Sequence, residues 1–589
     1  MEWIICFCLS LAVLVSAITI SISLAKRRYR SDRVWNSFNV LFGGIFVSST
    51  IIFFPIYGDI FAEHAVGAVK VFLLSLHNTL RLFIVDADFE IILEHTDTIQ
   101  GGLSMAYSTL AAVLFVLAPA LTFGVVLSFF KNIFSYVDYW LRYFTEIYIF
   151  SELNVKSLAL AKSLKENNKK RVIVFTDVYE NNEESISELI EEAHKLGAIM
   201  FRRDIIDINF GIHSNKKHIT FFAIGESEVE NNKQALRLIE KYKERENTSV
   251  YVFAINPENE LLLSKVEKGR IKVRRINDVH SLVNRLLYDE GMKIFDSAVP
   301  YDDKEKLISA VVIGMGHHGT EMTKALSWFC QMDGYRVVIN SFDLQTNAKS
   351  RFVCLCPELM DDNYNKDFTT NGEAHYSIDV HSGIDVELQE FWEKLKDLPR
   401  VTYAFVALGD DEKNIRTAIK LRSWFTKGGM NPQIDAVVWD TDKMNALDGI
   451  TNHSGQEYNI NFIGDLESSY SEKVILYSDV EEVALARHMR WGDAEEFWRY
   501  EYNYRSSIAS AIHRKYKSLC GISGIDQEPE ERKEEDRWNI RILEHRRWNA
   551  YMRSEGYTFA EKRNNLAKTH HCLVPFEQLT LAEQEKDDN

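Results

Sequence analysis

The residues best suited to chemistry are three glycines that follow a short apolar run. Ala310–Ile313 is typical of a buried strand, and Gly314, Gly316 and Gly319 come after it. This spacing permits a tight turn, the close approach of a pyrophosphate, and close packing of the next helix on the strand. The N-terminus of that helix offers free N–H groups and a partial positive charge to an anion. The spacing therefore predicts a phosphate-binding turn between a strand and a helix.

An acidic residue and two histidines extend this candidate site. The next apolar run ends at Asp343, 24 residues after Gly319, where a dinucleotide site needs a carboxylate to hold a ribose hydroxyl. His317 and His318 lie in the turn and either contact an anion when protonated or are ordinary exposed loop residues. We predict the following residues as cofactor-binding: Gly314, Gly316, His317, Gly319, Asp343 and Asp410.

Evidence for catalysis or for a metal is weaker. The pairs Asp361–Asp362 and Asp410–Asp411 could bind a divalent ion, but we favour the interpretation that they are solvated loop carboxylates. The seven cysteines form no Cys-x-x-Cys pair, no Cys/His cluster that suggests a zinc site, and no disulfide framework, which predicts a reduced environment and no metal site. No substrate domain with a positioned acid or base is evident, so we predict no catalytic residue. An NAD-dependent oxidoreductase stays open as an alternative.

Length and charge limit the classes of function. A chain of 589 residues is too long for one hydrophobic core and predicts three or four domains. It has 68 basic and 85 acidic residues and a formal net charge of −17, which argues against direct binding of nucleic acid.

Three apolar runs near the N-terminus are long enough to cross a bilayer as helices. They cover about 3–25, 34–57 and 105–130, within a predicted membrane region of residues 1–135. A signal peptide is not predicted, because the basic segment Lys26–Arg33 follows the first run. The positive-inside rule assigns this basic segment to the cytoplasm, and the acidic segment before the third run fits the outside. We therefore predict an N-terminus outside and a large cytoplasmic C-terminal part.

Between the second and third runs, residues 65–85 are typical of an amphipathic helix. Val69, Leu73 and Leu80 mark one side, with Val66 and Leu76. Lys70, His77 and Arg81 recur on another side. The segment either lies at the membrane surface or lines a pore in an oligomer with these three side chains facing water. No Thr-Val-Gly-Tyr-Gly filter is present, which argues against an ordinary potassium-selective pore.

The rest of the chain alternates helices with short β-branched strands. This alternation predicts two tandem, doubly wound parallel sheets of the Rossmann type, at residues 146–297 and 305–480. The predicted fold class is thus an α-helical transmembrane region, two α/β lobes and a small C-terminal helical domain at 484–589. The first lobe has Ser151–Ser157 in place of the glycine turn, without any glycine, and we expect Glu152 to repel a pyrophosphate.

The glycine turn with Asp343, and the segment Ala407–Glu412 after the fourth strand, resemble the TrkA-N or RCK domains that regulate bacterial potassium channels and transporters. The resemblance covers residues 146 to about 480. It implies that the lobes dimerise, bind a nucleotide or an ion, and pull on membrane helices.

The C-terminal segment combines aromatic and arginine residues on two predicted helices. Leu543–Trp548, the Gly556–Tyr557 pair and Cys572–Leu579 resemble the ryanodine-receptor repeat (RyR) module, and Asn503–Ser506 fits the helix that often precedes it. The resemblance implies a ligand-sensing module of a kind found in nucleotide-signalled antiviral defence. The resemblance implies a ligand-sensing role for the following residues: Arg505, Glu544, His545, Arg547, Trp548 and Tyr557.

Together these features predict an oligomeric membrane effector or channel of the bacterial inner membrane. Its expected partners are the lipid bilayer, further copies of itself (at least a dimer, with a tetramer favoured), and a nucleotide ligand. That ligand is a cyclic oligonucleotide, NAD or an adenine nucleotide. The alternative is an RCK-type regulator of potassium transport gated by NAD or an adenine nucleotide.

Overall fold

A computed structural model describes most of the chain. The described residues are 2–26, 31–61, 67–96, 99, 101–142, 146–178, 184–211, 216–256, 263, 269–360, 369–370, 373–447, 458–476 and 478–588. They form two compact units, Met1–Leu141 and Arg142–Asn589. The acidic pair at 361–362 lies outside the described residues, as do parts of the predicted basic segment.

The first unit is helical. Its helices are α1 (Glu2–Lys26), α2 (Ser31–Ile60), α3 (Ala68–Phe83), α4 (Glu90–Thr96) and α5 (Gly102–Leu141). Three stretches are long and apolar enough to span a membrane: Glu2–Ser21, Val40–Ile60 and Gly102–Phe123. Helices α1 and α2 approach closely, because a Cβ at Gly44 would lie 2.1 Å from the Cβ of Ala17. The prediction of a membrane protein with three candidate spans is confirmed at this level.

Helix α3 has three distinct faces. Val71, Ser75, Asn78 and Thr79 are buried, with Leu82 and Phe83 on the same side. A second face exposes apolar side chains, namely Val69, Phe72, Leu73 and Leu80. The predicted pore candidates lie on a third face, where Lys70 and His77 are exposed and Arg81 pairs with Asp86 at 3.0 Å. The apolar side read from the sequence is therefore the exposed side, which suits contact with lipid or with another helix.

The second unit begins with a six-stranded parallel sheet. Its strands are β1 (Glu146–Phe150), β2 (Val172–Phe175), β3 (Ile199–Met200), β4 (His218–Ala223), β5 (Thr248–Phe253) and β6 (Lys272–Ile276). Their order is β3-β2-β1-β4-β5-β6, a doubly wound arrangement. The accompanying helices are α6 (Val155–Asn167), α7 (Glu184–Lys195), α8 (Glu228–Tyr242), α9 (Asp278–Glu290) and α10 (Met292–Asp296).

A second sheet repeats this strand order. Its strands are β7 (Val299–Pro300), β8 (Lys306–Ile313), β9 (Tyr335–Asp343), β12 (Tyr376–Ser382), β13 (Tyr403–Val406), β14 (Gln433–Val437) and β15 (Ile460–Ile463), with a separate hairpin of β10 (Thr369–Thr370) and β11 (Glu373–Ala374). The order is β12-β9-β8-β13-β14-β15, all parallel, and β7 pairs antiparallel with β8. The helices are α11 (His317–Phe329), α12 (Ala348–Leu355), α13 (Gln389–Asp397), α14 (Asp411–Lys427) and α15 (Thr441–Leu447). The predicted fold class, a membrane-type helical region with two Rossmann-like sheets, is confirmed.

Helices dominate the C-terminal part. They are α16 (Leu466–Ser469), α17 (Glu472–Ile475), α18 (Ser478–His488), α19 (Ala494–Arg499), α20 (Glu501–Leu519), α21 (Glu534–Ser554) and α22 (Leu581–Gln584), with a short pair of strands, β16 (Thr558–Phe559) and β17 (Thr569–His570). Their core is continuous with that of the second sheet. The ring of Trp328 on α11 lies 5.8 Å from that of Tyr551 on α21, and Phe329 lies 5.0 Å from Tyr516 on α20. The glycine-turn helix is thus packed directly against the C-terminal helices.

Candidate functional site

The three glycines of the turn have different physical roles. Gly314 has a φ of +91°, and a Cβ there would lie 2.2 Å from the carbonyl oxygen of Ala407. A Cβ at Gly319 would lie 1.7 Å from the carbonyl oxygen of Gly314. A Cβ at Gly316 would meet nothing within 4 Å. Packing therefore requires two of the glycines, whereas Gly316 leaves the turn open to an approaching ligand.

The N-terminus of α11 opens from this turn without a side-chain cap. Gly316 is the N-cap residue, and His317 beside it is exposed. His318 points elsewhere, with its ring 5.2 Å from that of Trp439. Burial lowers the pKa of His318 to about 4, so this ring is neutral at physiological pH. His317, as predicted for the site, is the histidine that faces the approach to the turn.

The two predicted acidic residues form hydrogen bonds with the backbone. Asp343 accepts hydrogen bonds from the N–H groups of Met315 and Gln345, each at 2.6 Å, so its carboxylate fixes the shape of the turn. Asp410 caps α14 by accepting the N–H of Lys413 at 2.9 Å. Its neighbour Asp411 accepts the N–H groups of two residues after β14 at 3.0 Å. The Asp410–Asp411 pair therefore stabilises the start of α14 and the loop after β14 in this structure.

A cavity of about 530 Å³ lies in front of the turn. We call it the glycine-turn cavity. Its walls come from the ends of the first sheet, the turn, α12 and the C-terminal part. The charged side chains that line it are five basic residues, Arg275, Lys324, Arg351, Arg505 and Lys568, and two acidic residues, Glu321 and Glu555. A basic excess in a chain with a net charge of −17 favours an anionic ligand here.

An ion-pair network forms the inner wall of the glycine-turn cavity. Lys324 pairs with Glu321 at 3.1 Å and with Glu555 at 3.2 Å, and Arg505 pairs with Glu555 at 2.9 Å. Burial opposes ionisation of Glu555, but Arg505 and Lys324 outweigh it and lower its pKa to about 2. His280 lies 2.5 Å from Glu321. The cluster of His280, Glu321 and Glu555 could ligate a metal by distance, but the Lys324 ammonium already binds both carboxylates.

A second cavity, of about 190 Å³, lies within the C-terminal part. We call it the C-terminal cavity. Its walls are formed by α20, α21 and the chain after β17, and the principal lining residues are Tyr502, Ser506, Ser507, Ser510, Glu544, His545, Arg547, Trp548, Arg563, His570, His571, Cys572 and Glu583. Four of the six predicted ligand-sensing residues therefore meet here. Arg505 lines the glycine-turn cavity instead, and Tyr557 is buried in the hydrophobic core.

Arg547 is the most unusual group in the C-terminal cavity. It is 1% exposed, and its Nε and Nη2 donate to the same carboxylate oxygen of Glu544 at 3.1 and 2.9 Å. Its Nη1 is buried and has no hydrogen-bond partner among the described residues. Leaving a buried cationic donor unsatisfied costs about 1–3 kcal/mol or more. Arg547 lines the cavity, so a ligand acceptor that reaches Nη1 would remove this cost.

Glu544 and its partners hold Arg547 in place. Glu544 accepts hydrogen bonds from Lys517 at 2.5 Å and from Ser510 at 2.9 Å. Burial raises the pKa of Glu544, but Arg547 and Lys517 outweigh this and keep the pKa well below its usual range. Burial lowers the pKa of Lys517 to about 8. Glu544 thus has a structural role, which is to orient Arg547.

Aromatic rings form another wall. The ring of Trp548 stacks on that of His545 at 5.9 Å and meets the ring of His570 edge-on at 4.9 Å. His545 is fixed by the Val574 carbonyl at 2.8 Å and by Asp587 at 3.2 Å. Across the cavity, the guanidinium of Arg563 lies 4.9 Å from the ring of Tyr502. Flat rings beside cations suit a planar, anionic ligand.

Sequence reasoning missed two sets of lining residues. Ser506, Ser507 and Ser510 lie on one side of α20, and their spacing could have identified a polar helix face. His570, His571 and Cys572 are consecutive, and their ligand atoms all lie within 4.8 Å of one another. The expectation that the sequence contains no Cys/His cluster is therefore wrong, and the adjacency of these three residues in the sequence was the signal for it.

No family model matches the chain. No curated protein matches it either. The function must therefore be inferred from these two cavities and from the membrane-type helices.

Proposed function

We propose that this protein is an oligomeric membrane effector or channel that is gated by a nucleotide-derived second messenger. The observation that carries the proposal is the C-terminal cavity, which both Arg547 and Trp548 line and in which the buried Nη1 of Arg547 lacks an acceptor among the described residues. The likeness of Leu543–Trp548 to the ryanodine-receptor repeat supports the same site.

The cavity favours a planar group that carries an anion. Trp548 and Tyr502 provide ring surfaces, Arg547 and Arg563 provide cations, and the hydroxyls of α20 provide further hydrogen bonds. Stacking of a base on an aromatic ring contributes about 1–3 kcal/mol. A volume of about 190 Å³ accommodates one base or one sugar-phosphate unit, so a larger messenger would be read one unit at a time.

Gating requires that the ligand prefers one state of the protein. Ligand binding shifts an equilibrium only by its differential affinity for the two states, and a 100-fold preference supplies under about 3 kcal/mol. In this proposal the second unit is cytoplasmic, and the three candidate spans cross the bacterial inner membrane. Ligand binding then favours a leaky or conducting state of the membrane helices, which in antiviral defence depolarises or kills the infected cell.

Thermal unfolding of the purified full chain in detergent tests the proposal. The ligands are NAD, NADH, ATP, ADP-ribose and a panel of cyclic oligonucleotides. We expect a rise of several degrees with one cyclic oligonucleotide, which is lost in Trp548→Ala and largely kept in Trp548→Phe, because Phe preserves a stacking ring. Ion efflux from vesicles containing the protein should increase with the same ligand. A rise that Trp548→Ala leaves unchanged would contradict the proposed site.

The second candidate is an RCK-type regulator of potassium transport gated by NAD or an adenine nucleotide. The glycine-turn cavity favours it, because five basic side chains surround an uncapped helix N-terminus. This candidate predicts a thermal shift with NAD or ATP that is lost in Gly316→Asp, whose carboxylate repels phosphate. Gly316→Ala is the matched control, since a Cβ at this position meets nothing within 4 Å. Turnover of NADH by the purified protein would instead indicate an oxidoreductase.

A further inference from the structure

Three potential metal ligands converge on one wall of the C-terminal cavity, and the carboxylate of Glu583 lies next to one of them. His570 ends β17, and His571 and Cys572 follow it directly. The Nε2 of His571 lies 2.8 Å from the Oε1 of Glu583 on α22. This carboxylate is therefore in contact with one of the three neighbouring donors and can turn toward the others.

The identity of these donors points to a particular class of ion. Two imidazoles, one thiol and one carboxylate are the ligand types that Zn²⁺ takes in four-coordinate protein sites. A sulfur donor argues against Ca²⁺ and Mg²⁺, which prefer oxygen ligands. We infer that His570, His571, Cys572 and Glu583 form a binding site for a zinc-type divalent cation at the edge of the C-terminal cavity.

The geometry needs little adjustment to hold such an ion. Zn–ligand distances of about 2.0–2.3 Å place tetrahedral ligands roughly 3.5 Å apart. The donors of His570, His571 and Cys572 already lie within 4.8 Å of one another, so small side-chain rotations bring them to the ion. Glu583 lies outside this group and completes the site by turning from His571 toward the ion. Within the described residues the other such cluster contains Lys324 between its carboxylates, and it therefore already has its cation.

A metal at this position would tie α22 to the end of β17. Glu583 belongs to the last helix, whereas the other three ligands belong to the strand end at β17. The His570 ring is also in edge contact with Trp548 at 4.9 Å. The ion would therefore fix the wall against which Trp548 packs, and it would stabilise the folded state because the unfolded chain lacks the site.

Cobalt spectroscopy of the untagged full chain in detergent tests this inference. After chelator treatment, Co²⁺ should bind with a stoichiometry of one per chain and produce a thiolate-to-cobalt charge-transfer band, which Zn²⁺ then abolishes. Cys572→Ser should lose the band. Cys354→Ser is the matched control, since Cys354 is exposed and lies outside the cluster, and it should keep the band. A band that persists in Cys572→Ser, or cobalt binding without a thiolate band, would overturn the site.

A second variant distinguishes the loss of a metal ligand from misfolding of Cys572→Ser. Glu583→Gln keeps the thiol and the size of the side chain, so it should retain the charge-transfer band with an affinity for Co²⁺ lowered about 10-fold or more. Zn²⁺ should raise the melting temperature of the wild type and of Cys354→Ser. An equal rise in Cys572→Ser would show an adventitious ion only and would reject the inference.

Discussion

The two parallel sheets have the same strand order, yet the crevices at their centres differ in chemistry. In the second sheet, α11 begins at Gly316 without a side-chain cap and faces an open cavity. In the first sheet, Asn154 and Ser157 form a reciprocal capping box at the start of α6. The comparison teaches that strand order alone does not create an anion site, because the chemistry at the helix N-terminus decides it.

The chain's own side chains fill the crevice of the first sheet. Ser151 accepts the N–H of Ile224 at 3.0 Å, and Asn154 donates to the Ile224 carbonyl at 2.8 Å. The carboxylate of Glu152 lies against Gly225, since a Cβ there would be 2.8 Å from its Oε2. Burial raises the pKa of Glu152. That the first lobe does not hold a pyrophosphate stays a prediction.

Among the variants that test this comparison, the largest loss of stability is expected for Gly319→Ala. Its Cβ would lie 1.7 Å from the backbone oxygen of Gly314, so the turn must shift, at a cost of about 3 kcal/mol in the free energy of unfolding. Gly316→Ala should cost less than about 0.5 kcal/mol. Denaturant unfolding followed by tryptophan fluorescence measures both. Similar costs for the two variants would contradict the roles assigned to these glycines.

A smaller effect is expected at the ion pairs of α11 in the second sheet and α6 in the first sheet. Glu555→Gln leaves Lys324 and Arg505 less compensated and should cost about 2 kcal/mol at neutral pH. The matched change on the first sheet is Glu192→Gln, which removes a solvent-exposed partner of Lys162 on α6 and should cost less than about 0.5 kcal/mol.

The pH dependence distinguishes the electrostatic contribution of Glu555 from its packing. Its pKa is lowered to about 2 in the folded state, so its stabilising effect is present above the ordinary value of 4.5 and is lost as pH falls toward 2. The difference in stability between the wild type and Glu555→Gln should therefore shrink over that interval. A difference that stays constant from pH 7 to pH 3 would show that packing, and not charge, explains the cost.

The smallest effect on stability is expected when the helix caps of the two sheets are exchanged. Asn154→Ala removes the capping box of α6 and should cost about 1 kcal/mol. Gly316→Ser supplies a cap to α11 and should stabilise the fold by a few tenths of a kcal/mol, at about the limit of measurement. The same serine should weaken binding of any phosphate ligand at the glycine-turn cavity, as titration calorimetry would detect. Unchanged binding would show that the uncapped N-terminus of α11 does not contact the phosphate.

Local patterns in the sequence predicted much of the fold. Apolar runs of bilayer length identified the candidate spans, and alternating helices and β-branched strands identified two doubly wound sheets, because both follow from hydrophobicity and periodicity along the chain. The glycine spacing located the turn for the same reason. Position in the sequence did not reveal that Asp343 and Asp410 bond to the backbone, because a carboxylate has the same sequence signature in either role.

The amino-acid sequence by itself determined where this chain turns, where it is apolar enough for a membrane, and which residues carry charge. Only the tertiary structure decided which charges meet. Lys324 and Glu555 are 231 residues apart, yet they share one wall, and Arg505 belongs to the glycine-turn cavity although the residues that follow it line the other cavity. Arg547 keeps one donor without a partner among the described residues for the same reason: ion pairing depends on distances between helices that no local pattern encodes.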